Sequence, residues 1–95
     1  MNDLVSYNQK NNNMAYPYGP SDGGPDNNFS WDHNGDDSLR KQDIRNLAMY
    51  LFTSAGTPMM LGGDEMRRTQ KGNSNTYNLD TEINYFDWNM MKDND

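Results

Sequence analysis

Ile44-Arg45-Asn46-Leu47-Ala48-Met49-Tyr50-Leu51-Phe52-Thr53-Ser54-Ala55-Gly56-Thr57-Pro58-Met59-Met60-Leu61-Gly62-Gly63-Asp64-Glu65 is the stretch that decides the fold. In its first half Ile44, Leu47, Ala48, Leu51, Phe52 and Ala55 recur at i, i+3, i+4, i+7, i+8 and i+11, which places them on one helix face. Upstream, Asp36, Asp37 and Ser38 are cap candidates and set negative charge at the positive end of a helix dipole. Downstream, Gly56 offers a left-handed stop. The spacing predicts a helix over 38–55, closed by Gly56. Thr57-Pro58-Met59-Met60-Leu61 is a short apolar run with a leading proline, ended by Gly62-Gly63, and reads as a buried strand over 57–62. Helix, tight turn and buried strand are the αβ half of a parallel unit, so the fold class is α/β. Functional loops in such folds leave the carboxyl ends of strands, where Asp64 and Glu65 fall.

On either side the chain is irregular. Residues 1–37 read as one long loop, with a possible helical turn at 2–8 and Pro17, Gly19, Pro20, Gly23, Gly24 and Pro25 breaking any regular structure. Its aromatic residues Tyr7, Tyr16, Tyr18, Phe29 and Trp31 favour an ordered loop that lines something over a disordered linker. Residues 63–86 read as a second polar loop, and 87–95 as the start of a further helix. One helix, one strand and two long loops make an incomplete unit. A lone parallel strand has no neighbour to satisfy its backbone groups.

Composition agrees. Leu, Ile, Val and Phe together make up 12 of the 95 residues, too few for a sizeable core. Fourteen acidic against eight basic residues give a net charge of −6, which argues against nucleic acid or an anionic membrane as partner. There is no cysteine for disulfides or thiolate metal sites. No apolar run is long enough for a membrane span, and Met1–Lys10 holds no signal-like segment, so a cytoplasmic location is expected.

Candidate site residues cluster in the two loops. Tyr16, Tyr18 and Trp31 offer aromatic faces on which a ligand ring can stack, or else pack the loop down. Asn73, Asn75 and Tyr77 carry amide and hydroxyl groups that could bond a polar ligand, with Asn-rich turn formation as the plainer reading. Asp64 and Glu65 either orient a ligand or bond the backbone or Arg68. Adjacent on a strand end, they diverge too far to act as a catalytic pair. Asp32-x-Asn34-x-Asp36 imitates the start of a calcium loop, but Asp37 stands where the loop needs glycine and Asp43 where it needs glutamate, so helix capping is preferred. His33 has no second ligand spaced for a metal. No metal or cofactor is expected.

Four segments, in order, carry a resemblance. Asp3-Leu4-Val5-Ser6-Tyr7-Asn8-Gln9-Lys10, Tyr16-Pro17-Tyr18-Gly19-Pro20-Ser21-Asp22-Gly23-Gly24 with Asn28-Phe29-Ser30-Trp31-Asp32, Ser54 through Glu65, and Arg68-Thr69 with Gly72-Asn73-Ser74-Asn75-Thr76-Tyr77 and Asn84-Tyr85-Phe86-Asp87-Trp88 resemble the isoamylase and glycogen debranching family of α-amylase-type glycoside hydrolases. Met66-Arg67 departs from the family, which usually has an aromatic first. The resemblance implies a piece of a (β/α)8 barrel: the loop after strand seven, helix seven, strand eight, the loop after it and the start of helix eight. It implies an α-glucan such as glycogen, amylopectin or a maltooligosaccharide as ligand, with Tyr16, Tyr18, Trp31, Asp64, Glu65, Arg68, Asn73, Asn75 and Tyr77 as candidate contacts. The remainder of the barrel becomes a possible partner. It also implies that the nucleophile, the acid/base and the third carboxylate lie before Met1, which would then be an internal methionine, so no catalytic residue is assigned here. The expected function is a part of an enzyme hydrolysing α-1,6 branch linkages, silent alone. The alternatives are a non-catalytic glucan-binding or interaction module, or a non-functional truncated product.

Overall fold

The computed structural model describes residues 1–93. Its largest element is helix α1, Asp37–Thr53. The Asp36 carboxylate accepts from the amides of Ser38 and Leu39 at 2.9 and 3.2 Å, satisfying two of the first-turn donors. The helix closes on hydroxyls. Thr53 Oγ1 donates to the Met49 carbonyl at 2.6 Å, and Ser54 Oγ to that of Tyr50. It therefore stops before Gly56, which has a φ of +109° but lies beyond the cap. A second helix, α2 (Met90–Asp93), falls where the start of a helix is predicted over 87–95; Asn94 and Asp95 lie outside the described residues.

The expected strand over 57–62 is not formed, and no strand occurs among the described residues. Thr57 to Gly62 run without regular structure and exposed, Met59 to 88%. The physical reason is local. A parallel strand is stable only when a neighbour takes its N–H and C=O groups, and among the described residues no backbone hydrogen bond joins 57–60 to another segment. A barrel fragment is therefore not visible as such in the fold. What forms is a helix beside a body of interlocked loops.

That body is built from residues 1–36 and 62–89. Short 3-10 turns at Asn2–Val5, His33–Gly35, Asp64–Met66 and Glu82–Asn84 punctuate it. Its apolar core is Val5, Met66, Leu79 and Ile83. Asn12, Ser21, His33, Asn73, Thr76 and Thr81 are buried as well, so buried polar groups outnumber buried apolar ones. The body is held by side chains bonding backbone both within each loop and across to the other. Asn12 takes the Ser74 amide at 2.8 Å and gives to the Gly23 carbonyl at 3.2 Å. Asn84 receives the Thr76 hydroxyl at 2.6 Å and donates to the Thr76 and Leu79 carbonyls. Thr81 Oγ1 closes on the Pro17 carbonyl at 2.6 Å.

Helix α1 packs on the turns at Asn2–Val5 and His33–Gly35, yet none of its residues is buried. Of its apolar stripe, Ile44, Ala48 and Leu51 are half-buried while Phe52 is 61% exposed and lines one cleft with Met60, and Met59 and Leu61 are exposed beyond it. Exposed contiguous apolar surface promotes association. Phe52→Asp is expected to lower self-association, measured by light scattering. It should leave unfolding within about 0.5 kcal/mol of the parent, as for surface changes that break no feature.

Candidate functional site

The predicted site residues distribute over three places. Asp64 and Glu65 line a cleft of about 380 Å³ between α1 and the 60–67 segment, together with Ile44, Ala48, Phe52, Met60 and Arg67. The positive φ of Gly63, +96°, turns the chain into the 3-10 turn Asp64–Met66. Each carboxylate is engaged there: Asp64 accepts from the Met1 amino group at 2.5 Å, and Glu65 from the Gly63 amide at 2.9 Å. Beside them Arg67 gives to Asn2 at 3.1 Å and to Asp37 at 2.7 Å, and that guanidinium holds the Asp37 carboxyl below its ordinary value. The turn is thereby fixed to both the chain start and α1.

Tyr18 and Arg68 meet in a second cleft, of about 370 Å³, with Lys71, Glu82, Tyr85 and Phe86 on its walls. The Arg68 guanidinium stands 5.4 Å over the Phe86 ring and gives to the Asn84 carbonyl at 3.2 Å, while its Nε is buried without a protein partner. A hydrogen bond to Glu82 pushes the Tyr18 phenol above its ordinary range, so it stays a hydroxyl at neutral pH. An aromatic wall flanked by a guanidinium, an ammonium, a phenol and carboxylates is chemically suited to a polyhydroxylated ligand.

Asn73, Asn75 and Tyr77 form the third group, and their polar atoms are used internally. Buried Asn73 receives the Ser21 hydroxyl and the Asn75 amide, both at 2.9 Å, and gives to the Tyr18 carbonyl at 3.0 Å. Asn75 donates to the Asp22 carbonyl at 3.0 Å and Tyr77 to the Asp22 carboxylate at 3.2 Å. The Asp22 charge raises the Tyr77 phenol. This trio ties the second loop to the first. Tyr16 and Trp31 stand apart from both clefts, 77% and 51% exposed. Trp31 is stacked on His33, with ring centroids 4.3 Å apart.

Two residues that matter here carry no sequence signal of their role. Asp3 accepts from Thr69 Oγ1 and the amides of Gln70 and Gly72, binding the chain start to the second loop. His33 sits in left-handed backbone, φ +55°, and is buried. The calcium-like run is consumed by capping, Asp32 accepting from the Asn34 amide at 2.9 Å and Asp36 from the first turn of α1. Among the described residues no group of three or more His, Asp or Glu is placed to hold a metal. No helix among them is long and apolar enough to cross a membrane.

No family model matches the chain. Curated relatives do. An isoamylase from Flavobacterium sp is 51% identical over 88 residues, covering 93% of this chain and 11% of the relative. An isoamylase from Pseudomonas amyloderamosa is 41% identical over 98 residues, 98% of this chain and 13% of the relative. The glycogen operon protein GlgX homolog of Mycobacterium tuberculosis is 41% identical over 102 residues, 99% of this chain and 14% of the relative. The chain is thus related along nearly its whole length to the isoamylase and glycogen debranching family, and spans between 11% and 14% of the length of these relatives.

Proposed function

We propose that these residues are one part of the catalytic (β/α)8 barrel of an α-glucan debranching glycoside hydrolase, an enzyme cutting α-1,6 branch linkages. The helix would be the seventh of the barrel, residues 57–62 the eighth strand once paired, and the two loops part of the rim at the catalytic face. The observation that carries this reading is the family likeness over almost the full chain at a small fraction of each relative's length. The exposure of Phe52 on α1 and of Met59, Met60 and Leu61 supports it, these being apolar residues that a helix and a strand of a barrel bury. In this role the cleft of Tyr18, Arg68 and Phe86 contacts glucan, and the Asn73 trio and Glu65 hold the rim in shape.

Retaining glycosidases need a nucleophile and an acid/base on two carboxyls about 5–5.5 Å apart. The family resemblance implies that the three catalytic carboxylates lie outside these residues, and Glu65 is engaged with the Gly63 amide. The 95-residue chain alone is therefore expected to release no reducing ends from glycogen or amylopectin. A reducing-sugar assay on purified chain checks this, and turnover above a blank would falsify the inactivity.

A second reading, a glucan-binding module, is favoured by the exposure of Tyr16 and Trp31 on the first loop. Titration with maltooligosaccharide while following tryptophan fluorescence decides it. Saturation that disappears in Trp31→Ala supports binding there, and a flat titration of folded chain removes it.

A further inference from the structure

Helix α1 is joined to the loop body by polar tethers more than by buried surface. Arg67 bonds Asp37 at 2.7 Å, Arg40 Nε donates to the Asp32 carbonyl at 3.0 Å, and His33 Nε2 meets Asp43 Oδ2 at 2.6 Å. The first two cations keep their charge across the physiological range. The third does not have to.

The surroundings of His33 leave no room for a neutral ring. Nδ1 lies 3.0 Å from the Val5 carbonyl and 2.9 Å from the Trp31 carbonyl, both of which can only accept. Nε2 faces a carboxylate, which at neutral pH also only accepts. With a proton on Nδ1 alone, the Nε2 lone pair points at Asp43; with a proton on Nε2 alone, the Nδ1 lone pair points at two carbonyl oxygens. Only the imidazolium, donating from both nitrogens, satisfies every partner.

We propose that His33 is a proton-dependent latch: doubly protonated, it clamps α1 through Asp43 to the Asn2–Val5 turn and to the Trp31 segment, and on losing a proton it gives up this tether, leaving α1 on the Arg67–Asp37 and Arg40–Asp32 bonds alone.

The charged groups around the ring fit this role. From α1 come Asp43 and, one turn earlier, Arg40, whose Nε is committed to the Asp32 carbonyl. The Asn2–Val5 turn presents only the Val5 carbonyl, since Asp3 is turned to the 69–72 segment. The histidine's own segment adds the Trp31 ring and Asp32, whose carboxylate caps the Asn34 amide. The Asp43 hydrogen bond, with smaller help from the Trp31 and Val5 carbonyls, holds the imidazole above its ordinary 6.5 against the opposing effect of burial; Asp43 is held below its ordinary 3.8 by the same bond. The sign follows. Stabilisation from the raised His33 is complete below 6.5 and fades as pH climbs through its folded value. That from the depressed Asp43 is complete above 3.8 and fades as pH falls through its own.

His33 is the chain's one histidine, so an NMR titration of the full chain reads it without ambiguity. The expected midpoint lies above 6.5. Across it, exchange of α1 amides, corrected for intrinsic pH dependence, should accelerate on the order of tenfold, the scale of one charge-assisted hydrogen bond. Asp43→Asn should bring the midpoint down and leave α1 exchange fast and flat with pH. A midpoint at or below 6.5 in the parent chain, or α1 protection unchanged through the transition, overturns the latch. Neither readout depends on the variant folding.

Discussion

Asp3→Ala is expected to cost the chain most of its cooperative stability. The Asp3 carboxylate accepts from Thr69 Oγ1 at 2.5 Å and from the amides of Gln70 and Gly72 at 2.8 and 3.4 Å. These donors line a turn whose backbone, with Lys71 at φ +56° and Gly72 at φ +80°, aims N–H groups at one point. Removing the acceptor orphans part-buried donors, at about 3 kcal/mol for bonds to a charged group once non-additivity is allowed for. A chain of this length has roughly 5–14 kcal/mol in total, and one with four buried apolar side chains among its described residues sits low in that range. The thermal midpoint should fall by more than about 10 °C by circular dichroism. Asp3→Asn, which keeps an acceptor but not the charge, should fall less. A midpoint within about 2 °C of the parent for Asp3→Ala would show that the loop interlock does not depend on this carboxylate.

Gly63→Ala is expected to be nearly as damaging, through a different mechanism. Gly63 has a φ of +96°, and a Cβ there would stand 2.6 and 2.8 Å from Arg68 side-chain carbons and 2.9 Å from the Phe86 ring. Left-handed backbone costs an L-residue about 1–2 kcal/mol, and the crowding adds about 1–3 kcal/mol. The same residue receives the Met66 and Arg68 amides on its carbonyl, so a shift of backbone loosens the whole turn. Gly35→Ala separates the two causes, because Gly35 has a φ of +80° with nothing within 4 Å of its would-be Cβ. It should show the backbone cost alone. Equal melting of the two variants would mean that the Arg68–Phe86 contact yields freely and does not shape the turn.

These residues show where the sequence is readable and where it is not. The helix announces itself by period and by Asp36, because α-helical geometry and capping are local matters. Thr57–Leu61 has the composition of a buried strand, but a strand exists only in its pairing, and pairing is not local. The loop body was opaque for a related reason. Asn73 reads as a turn former in an Asn-rich stretch, whereas it and Asn12 bond backbone more than fifty residues away and Asn84 bonds backbone within the second loop. No periodicity encodes such a lock. His33, lone and unmatched by any metal spacing, gave no hint that Val5, Trp31 and Asp43 converge on it. Among the candidate contacts, Tyr18 and Arg68 come together around Phe86, while Asp64 and Glu65 line a different cleft and the aromatic pair Tyr16 and Trp31 lies outside both.

If these residues are a part of a debranching barrel, they should work in place of the matching segment of a relative. The most direct measurement places them in one: a chimera of the Flavobacterium isoamylase in which these residues replace the 51% identical segment, assayed for reducing-end release from amylopectin. The chimera is expected to hydrolyse amylopectin, with its α1 face and Met59–Leu61 no longer accessible to a hydrophobic dye. A chimera that melts like its parent, with those surfaces covered, and yet releases nothing from amylopectin would contradict that reading.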